Sequence, residues 1–160
     1  MYDFKLSTTD KLTLYRDLAA AMEGLVAGES DAIANMANAA ALIFESVPGL
    51  NWAGFYRNVG GELVLGPFQG RPACIRIPFG TGVCGVAAAT LEVQRVDDVS
   101  KFPGHIACDG ASVSELVVPI VRDGRLIAVL DLDSPDAARF EAEDEAGFVL
   151  LATLLSTRLT

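Results

Sequence analysis

The chain's capacity for chemistry lies in a few thiols, one imidazole and a small set of carboxylates. The segment FPGHIACDGASVSELVVPIV, residues 102–121, holds the only histidine, His105, the last cysteine, Cys108, and an acid, Glu115, just before an apolar run. A thiolate is a nucleophile, and an imidazolium nearby would lower the thiol's pKa. A lone histidine is also common on surfaces and in cores, so His105 by itself is weak evidence. Together with Cys74 and Cys84 these residues would make a Cys3His zinc set. The gaps between them lack the C-x2-4-C pairs of structural zinc sites, which leaves zinc a minority reading. Ser112 and Ser114 sit in nothing like a nucleophile elbow, and a serine hydrolase is not supported.

Two further groups are marked by spacing. In RLIAVLDLD, residues 125–133, both faces of a strand are apolar until Asp131 and Asp133. A spacing of two puts both acids on one face. Buried together, they are expensive and raise each other's pKa. The plain alternative is a strand that has ended, with both acids solvated near the DSPD turn. Earlier, Trp52, Gly54 and Tyr56 share a strand face. They are either ordinary core packing or the walls of a slot suited to a methyl or positively polarised group. GTGVCG, residues 80–85, matches G-x-G-x-x-G but sits among hairpins rather than in a βαβ unit, so its glycines serve a turn or a close backbone approach.

The elements that position these residues are legible. Leu14, Leu18, Met22 and Leu25 recur at helical spacing over residues 10–27, before Gly28. A second helix is expected over 31–47, capped by Ser30, with Ile33, Met36, Ala40, Phe44 and Val47 as its inner stripe and Pro48-Gly49 as its stop. A last helix, 141–158, opens with Glu141, Glu143, Asp144 and Glu145, acids suited to the positive end of its dipole, and turns Phe148, Leu151 and Leu155 inward. Between them, residues 51–70 read as strand, glycine turn and strand. Asp123-Gly124 between two apolar runs is a strong hairpin signal. Shorter strands are expected near 75–77 and 93–96, and a short helix over 83–91. The expected fold is α+β, an antiparallel sheet with helices from both chain ends packed on it.

One detail of register resists. If Asp123-Gly124 makes a two-residue turn, Glu115 falls opposite Leu132 and points away from Asp131 and Asp133. A bulge near Pro119 would reset the register; otherwise Glu115 belongs to the preceding loop.

Composition bounds the rest. With 160 residues, 51% of them hydrophobic and 21% charged, the chain suits one domain spanning 1–160 with a proper core. A net charge of −9 would repel phosphate backbones and anionic headgroups, so neither nucleic acid nor a membrane is an expected partner. The start MYDFKLSTTD shows no secretory signal and no run is long enough to span a bilayer, so a cytoplasmic protein is expected. An odd number of cysteines in that compartment argues against a structural disulfide framework.

The segments NWAGFY, LVLGPFQG, AC-x-RIPFGTGVCG, FPGHIACD, SELVVPI and AVLDLDS, in this order, closely resemble the free methionine-(R)-sulfoxide reductases, stand-alone GAF-domain enzymes. The resemblance runs from about Asp31 to Phe148. It implies a GAF-like sheet of about six strands, with terminal helices on one face and a loop-covered pocket on the other. It implies Cys108 as nucleophile and Cys74 or Cys84 as resolving thiol, with exchanged roles for Cys84 and Cys108 left open. It also implies Trp52 and Tyr56 as the aromatic wall around the S-methyl. Glu115, Asp131 and Asp133 would be the carboxylates that meet the sulfoxide and the substrate ammonium. The chemistry fits: a thiolate attacks sulfur while an acid protonates oxygen, and crowding keeps one carboxyl protonated. Attack gives a sulfenic acid, which a second thiol converts to a disulfide. No bound cofactor or metal is needed; a thioredoxin-type dithiol is the implied reductant, and a homodimer the implied assembly. The loop 102–115 would close over the substrate, with backbone N–H groups around Gly104–Ala107 receiving its carboxylate.

Two other readings compete: a non-catalytic GAF-type sensor for a cyclic nucleotide or other small effector, and a thiol redox switch acting on a partner. A sensor is usually joined to an output domain and has no need of two redox thiols beside acids.

Overall fold

A computed structural model describes residues 10–104 and 110–159. In chain order the elements are α1 (Lys11–Leu25), α2 (Ala32–Ser46), β1 (Trp52–Val59), β2 (Glu62–Gly70), β3 (Arg76–Pro78), α3 (Gly82–Thr90), β4 (Gln94–Val96), β5 (Ser114–Arg122), β6 (Arg125–Ser134) and α4 (Ala142–Ser156). A 3-10 turn at Val99–Lys101 follows β4. The six strands form one antiparallel sheet in the order β3-β2-β1-β6-β5-β4. No helix among the described residues is long and apolar enough to cross a membrane.

Alternation along the central strands builds two cores. Ala53, Phe55, Leu116, Val118, Leu130 and Leu132 face α1, α2 and α4. Trp52, Tyr56, Val117 and Val129 face the other way, where Val83, Cys84, Ala87 and Ala88 of α3 cover them. A sheet covered on both faces explains why β6 is apolar on both.

Local chemistry sets the connections. Asp123 and Gly124 take φ of 51° and 73°, as a two-residue hairpin turn requires. In GTGVCG, Gly80 and Gly82 take positive φ of 81° and 65°, and a Cβ at Gly85 would stand 2.4 Å from the Pro78 carbonyl oxygen. These glycines turn the chain into α3 and let it lie against β3.

Two details of α2 differ from expectation. Asp31 rather than Ser30 is the cap: its Oδ1 accepts from the Ala34 N–H at 2.8 Å. The inner stripe is Met36, Ala39, Ala40, Ile43 and Val47, while Ile33 and Phe44 are 44% and 36% exposed. The small Ala39–Ala40 pair faces the sheet, and the helix rotates to put it there.

The register question has a clear answer. Pairing runs Arg122↔Arg125 and Val121↔Leu126, then Ile120↔Ala128. Ile127 is therefore the extra residue of a bulge, on β6 rather than at Pro119. Pro119 pairs with Val129 in register. Leu126 accordingly joins the α3 side of the sheet while Ala128 joins the other. Beyond the bulge Glu115 pairs with Asp133, so the two share a face.

Candidate active site

Three neighbouring strands present two rows of side chains beneath α3. Trp52 on β1 pairs with Asp133 on β6, which pairs with Glu115 on β5. One step along, Gly54 pairs with Asp131, which pairs with Val117. The bulge at Ile127 is what brings Glu115 into this set. Asp131 lies inside β6 and is only 6% exposed, so the reading of a strand that has ended, with this acid in solvent, does not hold. Glu115 is buried as well, and Asp133 is half-buried.

Cys84, near the start of α3, completes the cluster from above. Its Sγ lies 3.8 Å from Glu115 Oε1. Donor atoms of Cys84, Glu115 and Asp131 all lie within 4.8 Å of one another. Asp131 Oδ1 is buried with no hydrogen-bond partner among the described residues. Burial pushes the Glu115 carboxyl well above its usual range, and the nearby Asp131 and Asp133 push it further. Burial also raises Asp131, to about 7. Both carboxyls are thus shifted toward the protonated form, Glu115 under the added push of its acidic neighbours. The Cys84 thiol rises for the same causes, burial first and then Asp131 and Glu115. It is a poor source of thiolate. Tyr56 is held neutral by burial and by the same acids.

The aromatic wall is built differently from the expected slot. Trp52 stacks on Phe68 with ring centroids 5.2 Å apart and on Tyr56 at 5.9 Å. A Cβ at Gly54 would stand 2.6 Å from the Trp52 ring and 2.3 Å from Phe68 Cβ. The space above Gly54 is therefore filled by Trp52 and Phe68 rather than left open. The indole N–H donates to the Arg71 carbonyl at 3.1 Å, which fixes the ring. Sequence reasoning missed Phe68; its signal lay in its place across from Gly54, which depends on a bulge in β2.

Cys74 packs against the rim of this core, as does Phe102. Cys74 is disulfide-bonded and Cys84 is a free thiol. His105 and Cys108 lie outside the described residues, as does most of the proposed carboxylate-binding backbone at 104–107. The described flanks of that loop are tied down: the Val99 N–H donates to the Val113 carbonyl, the Val113 N–H to the Ser134 carbonyl, and Asn51 Nδ2 to Ser112 Oγ. These bonds hold Val99, Ser112 and Val113 beside the acid-bearing ends of β5 and β6.

A six-stranded antiparallel sheet with helices packed behind it is the architecture of a GAF domain, and that family's profile matches residues 26–159. The free methionine-R-sulfoxide reductase of Escherichia coli is 50% identical over 146 residues, covering 91% of this chain and 88% of that protein. The enzyme of the same name from Saccharomyces cerevisiae is 44% identical, covering 94% of this chain and 88% of its own. The X-ray structure of the Neisseria meningitidis free methionine-R-sulfoxide reductase in complex with its substrate superposes with a TM-score of 0.95 at 46% identity, covering 99% of this chain and 96% of that one. The chain belongs to the family of the free methionine-R-sulfoxide reductases.

Proposed function

We propose that the chain reduces free L-methionine (R)-sulfoxide to methionine. The observation that carries the proposal is the shared face of Glu115, Asp131 and Asp133, with the Glu115 carboxyl pushed well above its usual range beside an unpartnered Asp131 oxygen. A sulfoxide oxygen leaves sulfur only when protonated, and Glu115 is the acid held ready to protonate it. Asp131 and Asp133 supply negative charge for the substrate ammonium. Trp52 and Tyr56 give the S-methyl an apolar wall.

Cys108 attacks the sulfoxide sulfur. The sulfur gains two electrons, methionine leaves, and the cysteine becomes a sulfenic acid. The Cys74 thiol then displaces water to form a disulfide, and a thioredoxin-type dithiol reduces it. Two facts support Cys74 over Cys84 as the resolving thiol: Cys74 is disulfide-bonded while Cys84 stays reduced, and burial keeps the Cys84 thiol protonated. We place the protein in the cytoplasm as a homodimer, which light scattering tests.

The decisive experiment incubates the protein with dithiothreitol and each sulfoxide epimer separately, and with an N-blocked methionine sulfoxide. Loss of the free R epimer alone is expected. Equal use of both epimers or of the blocked substrate would defeat the proposal. Unchanged sulfoxide with tight nucleotide binding would instead favour a sensor.

A further inference from the structure

Cys84 has no step in the proposed redox cycle, yet it sits deepest in the acid cluster. Its Sγ and the carboxylate oxygens of Glu115 and Asp131 lie within 4.8 Å of one another, on three buried residues. The Sγ to Glu115 Oε1 distance is 3.8 Å. In a tetrahedral zinc site, with Zn–S of about 2.3 Å and Zn–O of about 2.0 Å, such donors stand roughly 3.5 Å apart. The set needs to contract only slightly. A second observation points the same way: Asp131, only 6% exposed, carries a buried Oδ1 with no hydrogen-bond partner among the described residues.

We propose that Cys84, Glu115 and Asp131 form a three-donor site for a borderline-soft divalent cation of the zinc type. It shares one thiol with the Cys3His set suggested by composition but draws its other ligands from β5 and β6. A thiolate beside two carboxylates excludes magnesium and calcium, which take all-oxygen shells, and suits zinc or its spectroscopic substitute cadmium. Three protein donors leave a fourth position open. The ion would engage both acids and so compete for them with a cationic group such as an ammonium.

The charge arithmetic favours a dication. Burial makes each of the three groups costly to ionise, and an ion reverses that cost. Such ligands bind a metal only when deprotonated, so binding releases protons and affinity rises with pH. Asp133 on β6 faces the cluster and adds negative potential; Tyr56 on β1 faces it as a neutral phenol.

The test uses the oxidised protein, in which Cys74 is in a disulfide and Cys84 is free. Cadmium titration should give a thiolate-to-metal charge-transfer band, and the band should vanish in Cys84→Ser. Zinc affinity by equilibrium dialysis should fall at least about tenfold in Asp131→Asn and in Glu115→Gln with the circular dichroism unchanged. No band in the unmodified protein overturns the site, and so does an equal band in Cys84→Ser. Unchanged zinc affinity in both carboxylate variants also overturns it, and these two variants decide alone if Cys84→Ser fails to fold. These readouts need no turnover, so they stand or fall apart from the sulfoxide reaction.

Discussion

Asp144 and Asp131 are both buried carboxylates, on opposite sides of one sheet, and their surroundings drive them in opposite directions. Asp144, on α4, accepts from the Tyr15 hydroxyl at 2.7 Å, Lys11 Nζ at 2.6 Å, the Glu141 N–H at 2.8 Å and Arg139 at 3.2 Å. Burial pushes its pKa up, but the Glu141 N–H, Lys11, Tyr15 and Arg139 outweigh burial and hold it below the usual value. Asp131 has no cation beside it in the ion pairs of the described residues and keeps an unpartnered oxygen. Burial then wins and raises it to about 7. Burial alone does not distinguish a structural acid from a reactive one; the partners do.

The contrast is broken most sharply at the proton donor. Glu115→Gln keeps the size and burial of the protonated acid but cannot give up a proton. Sulfoxide reduction should fall roughly 10²- to 10⁴-fold, with the urea midpoint within error of the parent. A large stability loss with proportionate activity loss would make Glu115 a structural residue. Asp144→Ala should do the reverse. It strands the Tyr15 hydroxyl and takes one partner each from Lys11 and Arg139, and should cost on the order of 3 kcal/mol in unfolding free energy. The kcat/KM of the protein that remains folded should not change.

The two acids should also bend the pH–stability curve in opposite senses. Asp144 has a lowered folded pKa, so its contribution is present above its ordinary value of 3.8 and fades as pH falls through the folded value. Asp131 has a raised folded pKa. Its protonated form favours folding at low pH, and that advantage is lost as pH climbs from about 3.8 to about 7. Asp131→Asn should flatten the curve between those values, and Asp144→Asn should flatten it only at the acid end. Urea unfolding across pH checks both. An unchanged slope in Asp131→Asn would mean that this carboxyl is already ionised.

Much of this was legible in sequence because its signals are local. Apolar period, turn residues and caps act over a few positions, and they marked the helices, the Asp123-Gly124 hairpin and the shared face of Asp131 and Asp133. The features that were hidden depend on distant partners. The bulge at Ile127 has no composition signature, yet it alone brings Glu115 onto the acid face. The acids opening α4 read as one group of dipole partners. The structure separates Asp144 from them because α1 packs close enough for Tyr15 and Lys11 to reach it. Likewise Gly54 marked a space correctly, but the ring that fills it, Trp52, and its cover, Phe68, are fixed by the fold of β2.

The smallest expected effect tests the comparison most finely. Tyr15→Phe removes one oxygen and leaves the ring, which packs edge-on against Phe148 at 5.1 Å and over Gly147, where a Cβ would stand 2.1 Å from it. Ring packing is therefore kept, and Asp144 still has Lys11, Arg139 and the Glu141 N–H. The loss is one hydrogen bond to a charged acceptor, about 1.5 kcal/mol, or a fall in Tm of roughly 3–6 °C for a chain of this size. Turnover should be unchanged, because among the described residues no hydrogen bond or ion pair joins Tyr15 or Asp144 to Glu115 or Asp131. A loss as large as that of Asp144→Ala would assign the network to the hydroxyl rather than to the cations. A change in kcat with little change in Tm would mean that the two faces of the sheet are coupled, and that the structural acid shapes the reactive one.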